Sequence, residues 1–126
     1  MNFEQLTPGY EFAPASYKLD LPLVSGYIKA VGGGQCKAQY VPPLTIAAYA
    51  LAALAKSLAL PPGSIHAAQE FEFFKLVPVG ATIKCQGRIA QKVGRGKLRM
   101  LMVELDALNE NEEKVLWGKA TLVLPG

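Results

Sequence analysis

Histidine is almost missing from this chain of 126 residues: His66 is the only one. Cysteine is nearly as scarce, with Cys36 and Cys85 alone. Two thiols do not make a disulfide framework, and they read as free cysteines of a reducing compartment. Charged residues are 18% of the chain and the formal net charge is only +3. So mild a charge gives no basic field for nucleic acid, and no basic face interleaves aromatics for stacking bases. The longest apolar stretch, residues 44–60, is interrupted by Lys56 and Ser57. It falls short of the ~20 residues a bilayer helix needs. The first residues, Met1-Asn2-Phe3-Glu4-Gln5, lack the basic-then-apolar order of a signal peptide. No His, Cys and carboxylate set has ligand spacing, so no metal and no other cofactor is expected. The expectation is a soluble, cytoplasmic protein that meets neither membrane nor nucleic acid.

What remains is apolar: 51% of the residues are hydrophobic. A chain of this length suits one domain, residues 1–126, with a packed core. So apolar a short chain also predicts an oligomer that hides one face. Residues 44–60 are rich in alanine and leucine and stand between Pro42-Pro43 and Pro61-Pro62, which predicts a helix with Thr45 as its N-cap. Being apolar all round, it is expected to be covered on most sides. Residues 65–75 alternate, placing Phe71 and Phe73 on one face and His66, Glu70 and Glu72 on the other. Residues 83–93 set Ile83, Cys85 and Ile89 against Lys84, Gln86, Arg88 and Lys92. Gly94-Arg95-Gly96 is a tight-turn signal leading into residues 98–108, apolar on both faces and so expected at the sheet centre. The last strand is 115–124, with Leu116, Ala120, Leu122 and Leu124 inward. Earlier in the chain, 11–19 reads as a further strand and 22–31 as a short helix ending at Gly32-Gly33-Gly34. One strong helix and an antiparallel meander pack most simply as a sheet curling around the helix. A ferredoxin-like fold needs two comparable helices and fits less well.

Three stretches carry a family resemblance. Val41-Pro42-Pro43-Leu44, Ile65-His66-Ala67-Ala68-Gln69-Glu70-Phe71-Glu72-Phe73 and Val79-Gly80-Ala81-Thr82-Ile83 follow in order. Together the chain resembles the MaoC-like branch of the hot-dog superfamily, with Ala81 where an Asp is usual. The resemblance implies an α+β hot-dog fold, a curved antiparallel sheet wrapped around one long central helix. It also implies acyl-thioester chemistry on coenzyme A or acyl carrier protein, the reversible hydration of enoyl groups. The family holds its water with an Asp and a His in a Gly-Asp-x-Asn-Pro-x-His setting, while a backbone N–H polarises the thioester carbonyl. The matching stretch here is Gly32-Gly33-Gly34-Gln35-Cys36-Lys37-Ala38-Gln39-Tyr40. Gly33 stands at the Asp position and Ala38 at the His position. Between Asp20 and His66 there is no carboxylate and no other histidine. Related thioesterases use an acidic residue on the central helix, and this helix has none. No catalytic residue is therefore assigned.

The residues expected at a substrate are Gly33 and Gly34, whose backbone can approach a ligand, with Tyr40 and His66. Each has a plainer reading: a flexible turn, a core aromatic, and a structural or surface histidine. Cys36 follows the glycines and precedes Lys37 but has no histidine near it in sequence for nucleophilic work. Lys92, Arg95, Lys97 and Arg99 form a basic hairpin tip, either solvated or facing the phosphates of a carrier. Tyr27, Tyr40 and Tyr49 suit an acyl tunnel or ordinary core alike. Three functions stay open. One is the non-catalytic subunit of an enoyl-thioester hydratase or 3-hydroxyacyl dehydratase, as a homodimer or a heterodimer with another hot-dog chain. The others are a stand-alone enzyme using Tyr40 or His66, and a non-enzymatic acyl-thioester-binding scaffold.

Overall fold

In the computed structural model, residues 6–20, 22, 26, 40–58 and 60–125 are described. The long helix forms where alanine and leucine dominate: α1 spans Pro43–Ser57. Proline suits its first turn because the missing N–H has no intrahelical partner there in any case. The cap is Pro42, not Thr45, and no side chain caps the helix. The Thr45 amide instead donates to the Pro42 carbonyl at 2.9 Å. Its side chain is buried with Oγ1 unpartnered. Leu58 is already extended, its N–H closing the last turn on the Leu54 carbonyl.

Five strands follow the alternating segments: β1 Ala15–Lys18, β2 Ile65–Phe73, β3 Thr82–Arg95, β4 Leu98–Leu108 and β5 Lys114–Leu124. They form one antiparallel sheet in the order β1-β3-β4-β5-β2. The β3–β4 hairpin closes over Gly96 and Lys97, with Arg95 opposite Leu98 and Gly96 at φ +58°. Glycine at the first central position of a two-residue hairpin turn is the II′ signature. Alternate residues of β3, β4 and β5 point inward onto α1, among them Ile83, Ile89, Leu101, Leu105, Leu116 and Leu122. The first half of the helix packs Ile46, Ala47 and Ala50 with Val77, Ile83, Cys85 and Leu116. The second half packs Leu54, with Leu58 just past its end, against Leu101, Val103 and Leu122, closed by Leu6 and Phe12. Small side chains let the sheet come this close. A Cβ on Gly87 would stand 3.2 Å from Leu105 Cδ2 and 3.3 Å from Phe12 Cδ2.

Among the described residues, the helix is covered on one side only. Ala47 and Ala50 are buried, while Leu44, Ala52, Ala55 and Lys56 are exposed. β4 is central, as its composition suggested, yet its outer face is half-buried rather than covered. Polar bonding occupies that face: Arg88 reaches Asp106 Oδ2 at 2.6 Å and Glu104 Oε2 at 3.0 Å, and Trp117 Nε1 donates to the same Glu104 oxygen at 3.0 Å. Lys114 Nζ stands 3.2 Å from Asp106 Oδ1, close enough to pair electrostatically though not aligned as a hydrogen bond. The Asp106 hydrogen bond is the main influence holding the Arg88 guanidinium above its ordinary pKa.

The two sheet edges differ. Beyond β3 the edge is closed by β1 and by the preceding segment. Gly9 donates to the Ile89 carbonyl, Ile89 to Tyr10, and Phe12 to Gly87, each within 2.9 Å. At the other end β2, among the described residues, pairs with β5 on one side only, and it is exposed along most of its length.

Candidate functional site

The edge strand β2 carries His66 and leads on toward Tyr40, two of the residues expected at a substrate. β2 runs in register with β5 from Phe73 opposite Leu116 to Ala68 opposite Thr121, and then slips by one residue before His66 meets Leu122. The extra residue is Ala67. Residues directly opposed across strands share a face, so the slip changes what His66 looks at. Strict alternation puts His66 with Glu70 and Glu72. The bulge instead puts it with Gln69, Phe71 and Phe73, on the side of the buried Leu122 and Leu116. The hydrogen bond confirms the geometry, because His66 Nε2 lies 2.8 Å from Gln69 Oε1. Residues three apart on a regular strand point to opposite faces and do not meet this way. β3 has a matching irregularity between Ile89 and Gln91. It turns Lys92 to the face of Leu101, away from Lys84 and Arg88.

Phe71 lies over Gly118. A Cβ there would sit 3.0 Å from the ring and 3.3 Å from the Glu70 carbonyl oxygen. Phe73 continues the row, its ring centroid 6.1 Å from that of Phe71. Beyond Phe73 the chain presents Phe74 and Leu76, then passes beside Tyr40. Tyr40 bridges Pro78, and the next residue, Val41, donates to the Val77 carbonyl at 2.7 Å. Tyr40, Leu44, Phe73, Phe74 and Leu76 are all large, apolar and 42–66% exposed. Exposed apolar surface of this kind around one strand end and the start of α1 makes this end the candidate site.

Of the residues expected at a substrate, Tyr40 and His66 are described, while Gly33 and Gly34 lie outside the described residues, as do Cys36 and Tyr27. Tyr40 sits beyond the Phe73 end of β2 and His66 near the Ile65 end. A nine-residue strand rises about 3.3 Å per residue, so those ends are roughly 25 Å apart. Within one chain the two do not share a site. Tyr49 packs against Tyr17, the rings tilted at 47° with centroids 4.9 Å apart, and Lys56 Nζ stands 5.6 Å from the Tyr17 centroid, so Tyr49 belongs to the β1 flank. Leu44, Phe74 and Leu76 were not singled out from the sequence. The Phe73-Phe74 pair, which breaks the alternation, was the available signal.

Cys85 is buried on the inner face, and burial pushes its thiol up to about 12. Such a thiol is inert as a nucleophile. The hairpin tip keeps Arg95 and Lys97 exposed, with Lys92 and Arg99 half-buried. Among the described residues no group of His, Cys, Asp and Glu is placed to hold a metal ion. No helix among them is long and apolar enough to cross a membrane.

No protein-family model matches the sequence, and no curated protein matches it. Solved structures do. The R-hydratase PhaJ1 from Pseudomonas aeruginosa matches with a TM-score of 0.81 at 18% identity, over 98% of this chain and 84% of that one. The MaoC-like dehydratase from Rhodospirillum rubrum gives 0.77 at 18% identity, over 97% and 94%. The HadBC (3R-hydroxyacyl-ACP dehydratase) complex from Mycobacterium tuberculosis gives 0.68 at 16% identity, over 92% and 96%. The chain therefore has the hot-dog fold, in the form found in MaoC-like dehydratases and (R)-hydratases.

Proposed function

We propose that this chain is a cytoplasmic, MaoC-like acyl-thioester-binding subunit, the non-catalytic member of an enoyl-thioester hydratase or 3-hydroxyacyl dehydratase. One observation carries the reading. The chain keeps the hot-dog helix and sheet but has no Asp, Glu or His between Asp20 and His66, where the resembling enzymes hold their acid–base pair. Adding water across an enoyl double bond needs a base to take a proton from water and an acid to return one to the α-carbon. Another hot-dog chain would bring both. This chain would contribute apolar wall from Tyr40, Leu44 and Phe73, backbone amides at Gly33 and Gly34, and His66 as a polar contact on the helix side. The likeness to a chain of the HadBC dehydratase complex supports a subunit role. So does the apolar rim, since 42–66% exposure of such side chains suits a surface with an occupant. The carrier would be coenzyme A or acyl carrier protein, and no cofactor is called for.

The test is reconstitution. The purified chain is mixed with a hot-dog protein that carries the Gly-Asp-x-Asn-Pro-x-His stretch, and conversion of enoyl to 3-hydroxyacyl thioester is followed. Activity well above that of either chain alone is expected. Equal activity with and without this chain, across candidate partners, removes the subunit role.

A second reading has one observation in its favour. The Ala67 bulge sets the only histidine on the helix side of the sheet, where a stand-alone enzyme would use it. Turnover by the single chain that depends on His66 would establish that alternative.

A further inference from the structure

We propose that Gln69 is a positioning residue for His66. It holds the imidazole with its proton on Nε2 and leaves Nδ1 as a bare hydrogen-bond acceptor on the helix side of the sheet. A ligand group that donates suits such an acceptor, so the site favours a 3-hydroxyacyl thioester over the enoyl thioester. The state of the ring rests on the described geometry alone, while the choice of ligand rests on the acyl-thioester reading.

The Gln69 amide is oriented by its own strand. Its Nε2 donates to the Glu70 carbonyl at 3.0 Å. Reversing the amide would set Oε1 against that carbonyl, two acceptors with no proton between them. Oε1 is therefore the atom that faces His66 Nε2 at 2.8 Å. An acceptor there calls for a proton on Nε2, and a neutral imidazole then carries its lone pair on Nδ1. Among the described residues nothing else hydrogen-bonds to the ring. The Ala67 bulge makes this pairing possible, because it brings His66 and Gln69 to one face. Bulges commonly re-aim a side chain in this way.

The ring's partner is neutral. Glu70 and Glu72 lie on the other face of β2, paired with Lys119 and Trp117 of β5. No carboxylate of the strand therefore backs the imidazole as an Asp does in a Ser-His-Asp triad. Gln69 orients the ring without lending it charge, which suits a contact residue better than a base. His66 is exposed and its cross-strand neighbour Leu122 is buried, so the ring is open to a ligand along an apolar margin. An enoyl thioester carries only acceptors between its hydrocarbon tail and the sulfur, whereas its 3-hydroxy counterpart adds one O–H. A ligand that covers Nδ1 without a donor leaves that nitrogen unpaired, and the hydroxyl pairs it. A neutral hydrogen bond of this kind is worth roughly two- to tenfold in affinity. The chain would thus hold the hydrated side of the reaction.

His66 is the only histidine, so in a tag-free chain its ring gives a single set of nitrogen signals. Long-range proton–nitrogen correlation at mildly alkaline pH is expected to show a protonated Nε2 and a bare Nδ1. Gln69→Leu should let the Nδ1–H form appear, while Gln69→Glu, whose carboxylate also accepts, should keep the native form. Calorimetry with the 3-hydroxybutyryl and crotonyl thioesters of coenzyme A reads the ligand. The hydroxy compound should bind roughly two- to tenfold tighter, and His66→Phe should make the two equal. A native ring protonated on Nδ1 overturns the proposal, and so does a preference that survives His66→Phe. Equal binding of the two thioesters overturns the preference and leaves the acyl-thioester reading standing. Binding of neither overturns both.

Discussion

At the scale of single residues, Ala67 shows how little decides a site. Strict alternation sends His66 outward with the glutamates, and one unpaired residue returns it to the helix side beside Gln69. Nothing in Ile65-His66-Ala67-Ala68-Gln69 marks the bulge, because two adjacent alanines leave no hydrophobic pattern from which its place can be read. The same holds for Ala90, where the irregularity turns Lys92. Cys85, by contrast, is read correctly from parity as an inward residue. Its burial makes a prediction. The folded state holds the thiol up to about 12 while the free thiol lies near 9. The unfolded chain therefore ionises first as pH rises, and stability falls progressively from about 9 to about 12. Urea midpoints taken at pH 8 and pH 10 should drop more for the native chain than for Cys85→Ala. Identical drops would show that the thiol is not desolvated.

At the scale of elements, the strands were legible because each alternates over at least half its length, and β3, β4 and β5 lie close to the expected bounds. The helix was legible in place but not in exposure. A segment of alanine and leucine has no polar face, so sequence cannot say which side is bare. The structure leaves Ala52 exposed and Ala50 at 1% accessibility. Expectation follows burial: Ala50→Phe forces a ring between α1 and the sheet, and overpacking costs on the order of 1–3 kcal/mol or more. Ala52→Phe faces solvent and should change stability by less than about 0.5 kcal/mol. Chemical denaturation of the two variants separates them, and equal midpoints would mean that the helix is not seated on the sheet through Ala50. For β4, composition alone suggested cover on both faces. The outer half of that expectation missed because Glu104 and Asp106 need partners, which Arg88, Lys114 and Trp117 supply at a half-buried surface.

At the scale of the whole molecule, two features of the described residues support the proposed function. One sheet edge is closed and the other open, and large apolar side chains crowd the Phe73 end of the open strand. The hot-dog architecture was legible from one helix and a meander. The site was legible only in part. Tyr40 and His66 lie at opposite ends of β2, which no spacing in the sequence reveals, and Gly33 and Gly34 fall outside the described residues. The central claim is that the chain binds an acyl thioester without converting it. Crotonyl-thioester titration into the purified chain by calorimetry, with the same sample assayed afterwards for the 3-hydroxy product, tests it most directly. Saturable binding with unchanged enoyl thioester is the predicted result. Robust hydration by the chain alone, lost on His66→Ala or Tyr40→Phe, would contradict it, and so would no binding at all.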